Sequence, residues 1–141
     1  MYSIRNYINV PEIYLDELFD LFEAYANELK EDHLTYENLC EMANDFGVNI
    51  FFSGKKMAGF YLASKEMTPG RIEICFIHHI FIAKDHRRTK LIELAEDHMV
   101  ATAKSMGVME IYGVTLRNAN AFMGLFSGKW SIHSTTIKLS I

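Results

Sequence analysis

Apolar residues change their spacing several times along the chain, and each change predicts an element. "YSIRNYI" alternates weakly and reads as a first strand. From Ile13 to Leu29, the apolar positions Leu15, Leu18, Phe19, Phe22, Tyr25, Ala26 and Leu29 recur at helical spacing, with Pro11 suited to the first turn. A shorter helix is expected over Thr35 to Asp45, capped by Thr35 and ended at Phe46-Gly47.

The period then shortens to two. "VNIFF" and "MAGFYLAS" flank Ser53-Gly54, which predicts a hairpin. After the turn "MTPG", "RIEICFIHHIFIA" reads as one long strand. Leu91, Leu94, Ala95, His98, Met99, Thr102 and Met106 mark one stripe of a helix that stops at Gly107. "VMEIYGVTL" is a strand, "NANAFMGLF" a short helix, and "KWSIHSTTIKLSI" one or two strands with a break near Ser134. The predicted order is β-α-α-β-β-β-α-β-α-β: an α/β (α+β) fold with a mixed, mostly antiparallel sheet flanked by helices.

Composition narrows the function classes. A chain of 141 residues, half of them apolar, fits one domain over residues 1–141 with an ordinary core. The formal charge of −4 argues against a protein held to nucleic acid by phosphate contacts, yet leaves room for one local basic site. No run approaches the roughly 18 apolar residues of a membrane span. The N-terminus "MYSIRNYINVPEIY" lacks the pattern of a secretory signal. Cys40 and Cys75 are expected to be reduced and packed, consistent with a cytoplasmic setting. An exposed terminal strand would offer an edge for a homodimer.

The local basic site is "DHRRTKLIELAED". Arg87, Arg88 and Lys90 open the predicted helix, where the macrodipole already favours an anion, at a cost of about 0.3–1 kcal/mol per cation. A bound anion, held by these cations, the first N–H groups and the Thr89 hydroxyl, would turn that cost into binding. Asp85 beside them suits a turn or cap.

Element order and motif together resemble the GNAT-type N-acetyltransferases over nearly the whole chain. The resembled motif is a strand followed by Arg-x-x-Gly-x-Gly/Ala at a helix start, matched here by Arg87, Arg88, Thr89, Lys90, Leu91 and Ile92 after "IFI". "NANAFMGLFSGKW" resembles a later family segment through Asn118, Ala121 and Trp130. Lys90 and Ile92 replace the two family glycines. The family's acidic tyrosine falls on Leu125 or Phe126, which leaves water or Ser127 to protonate the thiolate. The pattern resembles small phage-type members of the family, which often have an irregular motif.

The resemblance implies acetyl-CoA as co-substrate and direct transfer of its acetyl group to a small-molecule or peptide amine. Ile80, Ile82, Arg87, Arg88, Thr89, Lys90, Leu91, Ile92 and Asn118 are then the cofactor-binding candidates, with a cleft opening after Ile82 and Val114.

Such an amine, with a pKa of about 10, must lose a proton before it attacks. A histidine with a pKa of about 6.5 can accept that proton. His79, His78 and Glu73 are the catalytic candidates. Strict alternation places His78 and His79 on opposite faces, with Glu73 on the face of His79. His98 lies on the inner helical stripe and reads as packed. His33, His86 and His133 have no metal-ligand spacing, and no metal is expected. The alternative reading is a catalytically inactive GNAT-fold binding or structural protein, such as a phage virion or host-interaction protein.

Overall fold

The computed structural model describes residues 1–29, 34–113, 126 and 130–131. Its elements are β1 (Tyr2–Tyr7), α1 (Glu12–Leu29), α2 (Tyr36–Phe46), β2 (Val48–Ser53), β3 (Lys56–Met67), β4 (Glu73–Ile82), a 3-10 turn (Lys84–His86), α3 (Lys90–Ser105) and β5 (Ile111–Gly113). The expected final helix and strands lie outside the described residues, as do Asn118, Leu125, Ser127, His33 and His133.

The five strands form one sheet in the order β1-β2-β3-β4-β5. Neighbours are antiparallel up to β4, and α3 crosses over to make β5 parallel to β4. This is the mixed sheet expected from the alternation of periods. Local chemistry accounts for the junctions. Thr35 caps α2 through a capping box with Asn38, whose side chain accepts from the Thr35 N–H at 3.0 Å. The β2–β3 hairpin turns at Gly54-Lys55, with φ 61 at Gly54, and pairs Ser53 with Lys56. A glycine at the first central position is what a type II′ turn requires.

Two cores sandwich the sheet. α3 buries Leu91, Ala95 and Met99 against Phe51, Tyr61, Cys75 and Ile77. On the other face, Leu18, Phe22 and Tyr25 of α1 and Leu39 of α2 pack on Ile50, Phe60, Leu62 and Phe81. Cys75 belongs to the first core, Cys40 borders the second, and both are free thiols.

Strand alternation breaks in β4. Leu62 pairs with His79, but the next residue of β3, Ala63, pairs with Ile77, so His78 is an extra residue in a β-bulge. Before it, Cys75 and Ile77 face α3; after it, Ile80 and Ile82 do. The side chains of His78 and His79 therefore both lie on the α1/α2 face, stacked on Phe46 and against Tyr25 respectively. This overturns the expectation that they point to opposite faces. Glu73, which alternates with Cys75 and Ile77, lies on the α3 face, opposite His79 rather than beside it.

Candidate functional site

Two clusters meet where β4 runs into α3. The first is the helix entry. The helix starts at Lys90, not at Arg87: Arg87 and Arg88 lie in the preceding turn, and Thr89 is the N-cap. The Thr89 hydroxyl accepts the Leu91 N–H at 3.3 Å and donates to the His86 carbonyl at 2.6 Å. Its proton is thus already engaged within the turn. Leu91 and Ile92 are buried in the α3-side core, so their bulk goes into packing against the sheet. Arg88 and Lys90 are both exposed. Among the described residues, no carboxylate makes a salt bridge to either.

Arg87 has a different task. Its Nε donates to the Ile82 carbonyl at 2.8 Å, and Nη2 reaches both carboxylate oxygens of Glu28, at 2.9 and 2.7 Å. The guanidinium also lies over the Phe81 ring, 5.7 Å from its centroid. Arg87 ties the end of β4 to the last turn of α1. On the α3 side, the Tyr2 hydroxyl lies 3.0 Å from Nδ1 of His86, which joins β1 to the same loop.

Arg88 holds φ at 62, in the left-handed region that favours glycine. Such a backbone costs roughly 1 kcal/mol for a residue with a Cβ. Arg88→Gly should relieve that strain but give back about as much in unfolded-state entropy, roughly 0.5–1 kcal/mol. Urea denaturation should therefore show Arg88→Gly within about 0.5 kcal/mol of the wild type. Arg88→Val should be clearly less stable, because a β-branched residue resists this φ more strongly.

The second cluster surrounds the bulge. The Tyr25 hydroxyl lies 2.7 Å from Nδ1 of His79, with the rings edge to face at 5.4 Å. Burial, with a smaller repulsion from His78, lowers the His79 pKa to about 4. The imidazole is neutral at pH 7. When Nδ1–H donates to the tyrosine oxygen, Nε2 keeps a free lone pair and can accept a proton. His78 is less buried. Its Nε2 lies 2.7 Å from the Ser64 hydroxyl, which donates to Glu66 at 2.7 Å. Burial lowers its pKa, and the nearby Glu66 charge only partly opposes this.

Tyr25 and Glu28 lie one turn apart on α1 and hold the two clusters in register. Tyr25 was legible in the sequence only as part of an apolar stripe, and Glu28 carried no signal, since its partner is 59 positions away. Of the other candidates, Glu73 pairs with Lys65 at 3.0 Å on the sheet's far face. Ile82 is buried and Ile80 half-buried against the α3-side core. Described pairing of β4 with β5 covers Cys75, Phe76 and Ile77 and stops at Gly113, one residue short of the bulge.

His98 sits at the α3–sheet interface, its Nδ1 2.6 Å from the Tyr61 hydroxyl, and that hydroxyl is 2.9 Å from Thr102. Phe126, one of the two positions matched to the family tyrosine, is buried in the α3-side core. Trp130 donates to Glu96 of α3 at 3.1 Å. A groove of about 430 Å³ between the start of α1 and α2 contains none of the candidate residues. Among the described residues, no group of acidic, histidine or cysteine side chains is placed to hold a metal, and no helix is long and apolar enough to cross a membrane.

No protein-family model and no curated protein sequence matches this chain. Solved structures do. A ribosomal-protein-alanine N-acetyltransferase from Brucella melitensis superposes with a TM-score of 0.76 at 14% identity, covering 99% of this chain and 98% of that one. An aminoglycoside acetyltransferase from an uncultured soil metagenomic sample, in complex with sisomicin, gives 0.71 at 14% identity, covering 99% and 95%. An acetyltransferase from Trypanosoma brucei gives 0.68 at 12% identity over 100% of both chains. Identity this low speaks for architecture, and the architecture is unambiguous: this chain has the fold of the GNAT acetyltransferases.

Proposed function

We propose that the chain, as one domain over residues 1–141, is an acetyl-CoA-dependent N-acetyltransferase that passes the acetyl group directly to an amine. The observation that carries this reading is the helix entry. Two cations without a described carboxylate partner, Arg88 and Lys90, sit at the positive end of α3, next to the strand end from which the fold's acetyl donor would be approached. That donor set fits a pyrophosphate: a helix N-terminus supplies N–H groups, and the two side chains supply charge. Thr89 and Arg87 contribute by holding the turn, since their polar groups are engaged within the protein.

When bound, acetyl-CoA supplies an activated acyl group whose thiolate leaves without strong acid assistance, because thiols have a pKa of about 8.5. The protein's part is to bind, orient and move a proton. Nε2 of His79, kept neutral by burial and oriented by Tyr25, takes a proton from the attacking amine. His78 is the second candidate for that role. A basicity near pKa 4 makes His79 a weak acceptor but keeps it unprotonated at any working pH.

Calorimetric titration with acetyl-CoA tests the reading. The wild type should bind in the micromolar to sub-millimolar range, and Arg88→Gly and Lys90→Ala should each weaken binding by about tenfold, one charge-assisted contact apiece. Arg88→Gly removes charge without straining the turn, so its loss of affinity cannot be a loss of fold. An absence of heat and of thermal shift at about 1 mM ligand sinks the enzyme reading and favours the non-catalytic, GNAT-fold binding protein.

A further inference from the structure

The α1/α2 face of β4 carries an exposed aromatic and acidic feature of which the reaction as described uses at most His78. Phe46, the last residue of α2, stacks on the His78 ring at 4.7 Å with an interplanar angle of 8°. Phe76 meets the same imidazole edge-on at 4.8 Å. Phe46 is nevertheless 40% exposed, so part of its ring remains open to solvent. Beside the stack stands Glu66, its carboxylate accepting from Ser64 at 2.7 Å and lying 3.8 Å from Nε2 of His78.

That contact is not an ion pair at neutral pH. Burial holds the His78 pKa below the ordinary value, so the imidazole brings no compensating positive charge to Glu66. Among the described residues, Glu66 has no cationic side chain in salt-bridge contact; the nearby Lys65 is paired with Glu73. A half-exposed carboxylate beside open aromatic surface is chemically complementary to an organic cation with a flat apolar body. The charge meets the carboxylate, and the rings offer stacking and cation–π attraction. The place is apt, because His78 adjoins His79.

We propose that Phe46, His78, Phe76 and Glu66 form the seat of the acceptor, and that the acceptor carries its ammonium next to an aromatic or similarly flat group. This rests on the acetyltransferase reading for the word acceptor, but the binding itself does not.

Three probes separate the contributions: 2-phenylethylamine, n-butylamine, which lacks the ring, and 2-phenylethanol, which lacks the charge. Each is titrated by NMR into the protein alone and into protein saturated with coenzyme A. The expected result is that 2-phenylethylamine binds about tenfold more tightly than either of the others. Glu66→Gln should reduce it to the level of the alcohol, and Phe46→Ala to the level of butylamine. Thermal melts confirm that both variants are folded. Equal affinity for the three probes overturns the proposal, as does a preference that survives both substitutions, or no binding of any probe at about 10 mM. A failure of acetyl-CoA to bind, with the probe preference intact, would instead remove the enzyme reading and keep the cation seat.

Discussion

Gly59→Ala is expected to be the most damaging single-methyl change at a described glycine, with a loss of about 3 kcal/mol or more of stability. A Cβ at this position would lie 2.2 Å from the Phe81 carbonyl oxygen, 3.0 Å from the Ile82 Cα and 3.0 Å from the Phe51 ring. Two of these neighbours are backbone atoms, which cannot rotate aside. Gly59 pairs with Phe51 on one side and Ile82 on the other, and the adjacent Ala58 carbonyl accepts from the Ala83 N–H at 2.8 Å. The substitution would push β4 outward just where the chain leaves it for the Arg87 turn. Urea denaturation should show a midpoint shift at unchanged slope, with weaker acetyl-CoA binding even in the folded fraction. A stability within about 0.5 kcal/mol of wild type would contradict this close approach of β3 to β4.

The second large effect is on pH dependence. His79 has an ordinary pKa of about 6.5 in the unfolded chain and about 4 in the folded protein. Between these values the unfolded state binds a proton that the folded state refuses, so stability falls as the pH drops. The full stability is present above about pH 6.5, and the loss is complete near pH 4, where the folded form also protonates. Allowing for partial solvent access, the His79 share is on the order of 2 kcal/mol. His78 and His98, both lowered by burial, act in the same direction. Denaturation at pH 7 and pH 4.5 should show the loss in wild type. His79→Gln, which keeps a polar partner for Tyr25, should remove the largest part of it. An unchanged pH slope in that variant would place the imidazole in water rather than in its site.

Most of the architecture was legible from patterning. The switches between periods of two and about 3.6 located the five strands and the three helices of the described residues to within a few positions, because each element must bury one face or stripe. Thr35, Gly54 and Gly107 marked ends and turns through local chemistry that involves only near neighbours. The basic helix entry was visible for the same reason, since Arg88, Thr89 and Lys90 are consecutive.

What the sequence by itself determined, then, was the order of elements, their buried faces and the charge at the start of α3. The tertiary structure alone decided how the candidate residues are grouped. A β-bulge exists only relative to a partner strand, so alternation within β4 could not reveal that His78 is the extra residue. That one residue brings both histidines to one face and leaves Glu73 on the other. The division of labour among the cations was equally hidden. Arg87 meets Glu28 across 59 positions, and His79 meets Tyr25 across 54. Such pairs form because packing α1 on the sheet lowers the cost of bringing them together, and local sequence carries no trace of that.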